Sequence, residues 1–282
     1  MIEILTLFYH SDGMEHVNYL MTTMFESMMK PSNVPDLMTN DKLIHNVYCS
    51  PLDFEYLQKN YTPLANSRGL EVCYYPIIMG RGNLFEAVFD QFRRAAQLDR
   101  AVILSSADWV WSGGLAATRR KIKRGQAIFS PTFRIRMSGY DQAKQFLRRE
   151  HTNPEFSRLF IEEIPHKLLE ISREKRWDYQ WLEKVPDGWN FYHKEPVPFI
   201  CWPDQWVVNS IDVPIKTIEL LDHHFTQVMF NDNRIAWLTG NDDAFVGEFT
   251  QDSKYNEMID NRYMNPAAGF FMNLPLHHRM DK

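Results

Sequence analysis

Residues 80–115, GRGNLFEAVFDQFRRAAQLDRAVILSSADWVWSGGL, contain the pattern that decides the fold of this chain. Apolar side chains recur there at spacings of three and four, the signature of one face of an amphipathic helix; they are Phe85, Val88, Phe89, Phe92 and Ala96. Asn83 precedes this face and is a suitable N-cap. Ala101–Ser105 then reads AVILS, which is typical of a strand buried on both faces. The segment therefore predicts a helix that leads into a central strand.

The same alternation extends through the first 130 residues. Ile2–Tyr9 is a nearly continuous apolar run, and an apolar stripe at helical spacing follows it and ends before Pro31. Further strands are predicted at Asn46–Cys49, Leu70–Ile78 and Gln126–Ser130. Strands that alternate with helices in this way form βαβ units. We therefore predict an α/β fold, Rossmann-like, with a mostly parallel central sheet flanked by helices.

The carboxyl ends of two predicted strands carry polar turns. In open parallel sheets ligands bind outside these ends, which selects His10–Gly13 and Ser106–Gly114. A carboxylate at Asp108 can hold a divalent cation against a diphosphate, because hard cations prefer oxygen ligands. Gly113 and Gly114 would let a ligand approach the backbone closely. The alternative for Asp108 is a cap of a turn or helix.

The second half of the chain has a looser pattern. Tyr140–Ile171 is helical in character, with a kink or break at Pro165. Residues 172–206 are rich in tryptophan, tyrosine and proline, and they either stack on sugar rings or belong to the core. Gln227–Phe230 and Ile235–Thr239 are predicted as two strands joined by an Asn-Asp-Asn turn. These features predict a mixed, aromatic-rich C-terminal half.

Composition excludes several classes of protein. The net charge is -5, so broad neutralisation of nucleic-acid phosphates is not expected. Three scattered cysteines suggest reduced thiols in the cytoplasm. No apolar run reaches the length of a membrane span, and the first ten residues do not resemble a signal peptide. The glycine-rich motifs of P-loop and dinucleotide enzymes and the serine elbow of α/β-hydrolases do not occur.

The segment resembles nucleotide-sugar glycosyltransferases of the GT-A type, in which an Asn-containing turn and a helix precede a strand that ends in an Asp-x-Asp-like motif. Ala107–Gly114 is also similar to the "PD-hydrophobic-hydrophobic-S-[DG]-G" element of uncharacterised, family 2-like glycosyltransferases, except at its first residue. The likeness continues at Glu26–Pro35 and at Thr239–Asp243. Ser106 stands where the first acid of Asp-x-Asp would be, which leaves a metal-independent mechanism open.

This resemblance implies transfer of a sugar from a UDP-, GDP- or TDP-linked donor to a glycan or other hydroxyl acceptor, with inversion. It implies a single domain over residues 1–282, with a nucleotide-binding half at 1–138 and an acceptor-side half and C-terminal arm at 139–282. The site residues that it implies are listed by role: Phe8, Tyr9 and Asp12 for the base and ribose, Arg81 and Asn83 for the ribose or diphosphate, Asp108 and His224 for Mn²⁺ or Mg²⁺, and Asp242 or Asp243 as the base, with Asp204 and Asp222 as further candidates.

Several alternatives stay open. The acids at positions 242 and 243 also suit a solvated turn. The basic run Arg119–Arg124 suggests a solvated helix face, or else contact with an anionic acceptor or a membrane surface. One of Arg134 and Arg136 is a candidate phosphate ligand. Finally, the whole chain can be read as a catalytically silent module that binds glycans or a protein partner, with Ser106 marking the loss of a metal ligand.

Overall fold

The computed structural model describes most of the chain. The described residues are 1–7, 15–77, 81–130, 132–166, 180–185, 188–193, 197–211, 225, 228–229, 231–236, 238 and 243–250. Within them, no helix is long and apolar enough to cross a membrane.

The prediction of an α/β fold is confirmed. The strands of the first half are β1 (Ile2–Leu7), β2 (Leu43–Cys49), β3 (Glu71–Pro76), β4 (Ala101–Ser106), β5 (Trp109–Trp111), β6 (Gln126–Ser130) and β7 (Thr132–Arg136). The helices of this half are α1 (Glu15–Tyr19), which continues through a π-helical segment (Leu20–Met24) into α2 (Phe25–Met28), then α3 (Val34–Met38), α4 (Pro51–Asn66), α5 (Arg81–Gln97) and α6 (Leu115–Lys121).

The second half is mixed, as its sequence indicates. Its helical elements are a 3₁₀ turn (Met137–Gly139), α7 (Tyr140–Leu147), α8 (Asn153–Arg158), a second π-helical segment (Leu159–Glu163) and α9 (Gln205–Ile211). Its strands are β8 (Gln180–Val185), β9 (Gly188–His193), β10 (Val197–Trp202) and β11 (Val246–Thr250). β8 and β9 pair with each other as an antiparallel hairpin.

The central sheet has six strands in the order β3-β2-β1-β4-β10-β6. The first four are parallel, whereas β10 runs antiparallel to both of its neighbours. Alternate residues of β1 face opposite sides: Ile2 and Ile4 contribute to a core with α2, α3 and α4, while Leu5 packs with α5 and α9. Helices therefore cover both faces, which explains why β1 and β4 are mostly apolar on both sides.

A second, three-stranded sheet adjoins the first in the order β5-β11-β7. β11 is antiparallel to β5 and parallel to β7. Its apolar side chains pack on α7 and α8, with Val110, Ile135, Phe156 and Phe245 buried between them. This sheet is absent from the sequence predictions, because β5 has only three residues and its partner lies more than 130 positions further along the chain.

Two sequence predictions are wrong in detail, and one helix was not predicted. Asn83 lies inside α5, which begins at Arg81, and so it is not the N-cap. The helix that was not predicted is α4; Ser50 caps it by accepting a hydrogen bond from the Asp53 N–H. The predicted helical character after Tyr140 and the break at Pro165 are found in the described residues: helical segments end at Glu163, and Pro165 forms an antiparallel bridge with Ile135.

The second error concerns the predicted hairpin at residues 227–239. Val228 and Met229 are helical, and Asn233 has a left-handed φ of 53°. The Arg234 N–H donates to the Met229 carbonyl at 2.8 Å, which is the bond of a Schellman cap. The Asn-Asp-Asn sequence therefore ends a helix instead of joining two strands. Ile235 then forms a parallel bridge with Ala127 at the β6 edge, while residues 237 and 239 lie outside the described part.

Candidate functional site

The order of the strands defines where a ligand-binding crevice is expected. From β1 the chain adds β2 and then β3 on one side, and it then returns to add β4 on the other side of β1. The switch point of the strand order therefore lies between β1 and β4. At their carboxyl ends Leu7 is paired with Ser106. Open α/β sheets bind ligands outside the carboxyl ends of the strands at such a switch point. This end of the sheet is therefore the candidate functional site.

Asp108 lies directly at this switch point. It forms the turn between β4 and β5 and is partly exposed, while Ala107 beside it is fully buried. The Asp108 carbonyl oxygen accepts a hydrogen bond of 3.1 Å from the Phe249 N–H in β11. The backbone of Asp108 is thus fixed between the two sheets. β4 itself is an interior strand, parallel to β1 and antiparallel to β10.

Glu248 and Arg134 lie near the same end of the second sheet. Glu248 is opposite Trp109, the residue that follows Asp108, and Arg134 is opposite Glu248 on the other side. The Arg134 guanidinium forms an ion pair with Glu248 and donates to the Thr250 hydroxyl at 3.2 Å. Arg134 therefore lies within β7, and its guanidinium is engaged by Glu248 and Thr250. The alternation of FVGEFT at residues 245–250 is the signal that would have located β11 and Glu248.

The backbone N–H groups of Gly113 and Gly114 are engaged by side chains of the protein itself. The Gly113 N–H donates to Asn153 Oδ1 at 2.7 Å, and the Gly114 N–H donates to Ser32 Oγ at 3.0 Å. A Cβ on Gly113 would lie 2.9 Å from Ser32 Oγ. Glycine is needed at position 113 because side chains of the protein itself approach the backbone. Both glycines also border a cleft.

Asp243 lies at the other end of the β5–β11 ladder from Asp108. It is buried, and its carboxylate oxygens are 2.6 and 2.7 Å from Lys121 Nζ. The next residue, Ala244, donates its N–H to Thr118 Oγ1 at 2.7 Å. The segment is thus anchored on α6, close to Ser112, whereas Asp108 is aligned with Phe249. The structure does not bring Asp108 and Asp243 together.

Asp204 has a structural role as the cap of α9. It accepts hydrogen bonds of 2.9 Å from the Val207 N–H and from Arg234 Nη1. Burial raises the pKa of this carboxyl, but these hydrogen bonds and the Arg234 charge outweigh the effect and hold the pKa below its ordinary value. The Val207 N–H and the Arg234 guanidinium therefore stabilise the ionised form of Asp204.

The other predicted site residues lie wholly or partly outside the described part of the chain. Phe8, Tyr9, Asp12, Asp222, His224 and Asp242 lie outside the described residues, as do the side chains of Arg81 and Asn83, whose backbone forms the first turn of α5. In the described part of the chain, no three His, Cys, Asp or Glu side chains converge to hold a metal. Of the two predicted metal ligands, Asp108 lies within the described residues and His224 does not.

The basic run after Gly114 is largely a solvated face, because Arg120, Lys121, Lys123 and Arg124 are exposed. Arg119 differs: its guanidinium stacks 4.4 Å from the Trp202 ring, and burial lowers its pKa. Arg120 lies 3.8 Å from Asp36, and Arg124 lies 3.4 Å from Asp99, both as exposed ion pairs.

No protein-family model matches this sequence, and no curated protein matches it significantly.

Proposed function

We propose that this chain is a glycosyltransferase that moves a sugar from a nucleotide-sugar donor to a hydroxyl acceptor with inversion at the anomeric carbon. The observation that carries the proposal is the position of Asp108, a residue of intermediate exposure with a buried Oδ1 atom, which closely follows the central strand β4 beside β1. At this end of a parallel sheet, a carboxylate is suited to hold a divalent cation against the donor diphosphate.

The proposed chemistry divides between two carboxylates. Asp108 would hold Mn²⁺ or Mg²⁺, which neutralises charge on the leaving nucleoside diphosphate. A second carboxylate would take the proton of the acceptor hydroxyl as its oxygen attacks the anomeric carbon. Asp243 is buried, and both of its carboxylate oxygens contact Lys121 Nζ, at 2.6 and 2.7 Å. We therefore assign the base to its neighbour Asp242.

The first experiment measures donor binding by thermal shift with UDP-, GDP-, TDP- and CMP-sugars, with and without Mn²⁺. A donor at 100 times its Kd should stabilise the protein by about 2.7 kcal/mol. Asp108→Asn should remove most of this stabilisation in the presence of Mn²⁺. The matched control is Asp90→Asn, because Asp90 is an exposed acid of α5 that pairs with Arg93. Donor binding and turnover that survive Asp108→Asn unchanged would refute the proposed role.

The second experiment tests the base. Asp242→Asn should reduce turnover by about 10²- to 10⁴-fold, because general base catalysis contributes a factor of that size. Donor binding should stay at the level of the parent protein. A variant with full turnover would contradict the assignment.

A binding module without catalysis is the competing function, and Ser106 favours it because it replaces one of the two acids of the motif. In that case the donor panel should give no stabilisation with or without Mn²⁺. A glycan array would then give binding without product.

A further inference from the structure

A cleft of about 700 Å³, lined by polar and apolar groups, lies between α3, α6 and α8. Gly114 and Ala117 contribute to one wall, and residues 151–155 contribute to the other. Arg120 and Arg158 also line it, one from α6 and one from α8. The cleft includes the Gly113 end of β5, so it is separate from Asp108 at the opposite end of that strand.

The contact with Lys30 fixes the tautomer of His151. Lys30 Nζ is 2.8 Å from His151 Nδ1, and an ammonium group can only donate. Nδ1 therefore accepts, and the ring hydrogen is on Nε2. Burial lowers the pKa of Lys30 to about 8, which leaves it charged at pH 7, and lowers that of His151 to about 4, which leaves it neutral. The Arg149 carbonyl, 3.0 Å from Nδ1, would suit the other tautomer, but Lys30 would then lose its acceptor.

His151 Nε2 is consequently a donor that needs an acceptor. It is buried and has no hydrogen-bond partner within the described part of the chain, although His151 lines the cleft. A buried donor without an acceptor destabilises a protein by about 1–3 kcal/mol. An acceptor atom of a ligand in the cleft would remove this penalty.

The acids of the cleft are largely engaged elsewhere. Glu155 Oε2 accepts hydrogen bonds of 2.8 and 3.0 Å from the N–H and hydroxyl of Thr152 in a capping box. Asp36 lies 3.8 Å from Arg120. Arg158 supplies further positive charge to the lining, and Ser32, whose Oγ accepts from Gly114, has a hydroxyl hydrogen to donate. The lining therefore offers hydrogen-bond donors from two walls.

We infer that this cleft binds a phosphate group of a small organic molecule, through the Nε2–H of His151 and the guanidinium groups of Arg120 and Arg158. A phosphate has at least three acceptor oxygens and can meet donors from two walls at once, whereas a carboxylate is satisfied by one bidentate arginine. The volume is in the range of small-molecule sites and exceeds what a free ion fills. This site is independent of the proposed transferase activity.

The test titrates the full chain with inorganic phosphate, glycerol 2-phosphate and acetate, and follows the histidine ring nitrogens by NMR and affinity by calorimetry. The organic phosphate should bind more tightly than inorganic phosphate, and acetate should bind most weakly. The Nε2–H signal of His151 should move on phosphate addition. Arg158→Ala should weaken binding at least about five-fold, whereas Arg68→Ala, an exposed arginine away from the cleft, should not.

Three outcomes would overturn the inference. They are equal affinities for Arg158→Ala and Arg68→Ala, an Nε2–H signal that does not respond, and acetate binding as tightly as the phosphates. Asp108→Asn separates the two proposals, because it should leave phosphate binding intact while it removes Mn²⁺-dependent donor binding. Loss of both in Asp108→Asn would contradict a second site.

Discussion

The two ends of strand β5 differ in what their polar groups contact. At the Asp108 end, the residue is of intermediate exposure and lies at the switch point of the sheet. At the Ser112 end, three successive backbone N–H groups, of Gly113, Gly114 and Leu115, donate to side chains from distant parts of the chain. The nine residues Ser106–Gly114, which look like one ligand-binding loop in the sequence, are therefore a candidate site at one end and a packed junction at the other.

The largest effect is expected at the junction, from Asn33→Ala. Asn33 is fully buried; its amide donates to the carbonyls of Ser27 and Ser112 at 2.8 and 2.9 Å, and its Oδ1 accepts from the Leu115 N–H at 2.9 Å. Alanine leaves all three groups without this partner, so the free energy of unfolding should fall by about 4 kcal/mol. Urea denaturation measures this change.

Asn40→Ala is the control for this prediction, because Asn40 is an exposed asparagine shortly after the end of α3. It should change the free energy of unfolding by less than about 0.5 kcal/mol. An Asn33→Ala protein as stable as Asn40→Ala would mean that the junction does not hold α6 as described.

The next largest effect is expected from Lys121→Met. This change removes the cation from a fully buried carboxylate, that of Asp243. Breaking a buried pair from one side destabilises proteins by about 3–5 kcal/mol, and we expect about 3 kcal/mol because Lys121 itself is partly exposed. Lys123→Met, an exposed lysine two residues further on, is the matched control. Equal stability of the two variants would show that Asp243 does not depend on Lys121.

The sequence predicts the first sheet much better than the second. β1 and β4 are continuous apolar runs, and the burial of both faces leaves a signal that can be read locally. β5 depends on pairing with β11, and the sequence around β5 does not indicate which distant strand will pair with it. The same holds within the candidate site: the place of Asp108 follows from the end of β4, whereas the partners of Gly113 and Asp243 are set by tertiary contacts with Asn153 and Lys121.

The third effect is a pH dependence that originates at Lys30, on the junction side. Its pKa is lowered to about 8 in the folded protein by burial, although Glu150 and Glu155 oppose the shift. The unfolded chain keeps a pKa near 10.4, so it binds more protons between these values and stability should rise with pH there. Relative to Lys30→Met, the parent protein should gain about 1–2 kcal/mol between pH 7.5 and 10. Urea titrations at both pH values measure the gain, and a constant difference between the two proteins would contradict it.

The smallest effect on stability is expected at the other end of β5, from Asp108→Asn. The turn there is fixed by its backbone, through the Phe249 N–H and the pairing of β4 with β1 and of β5 with β11, and asparagine keeps that backbone and the size of the side chain. The free energy of unfolding should change by less than about 0.5 kcal/mol, while donor binding with Mn²⁺ is lost. A carboxylate that contributes little to folding but controls binding is what distinguishes a site from a junction. A loss of more than about 2 kcal/mol would instead make Asp108 a structural residue like Asn33, and the contrast between the two ends of β5 would no longer hold.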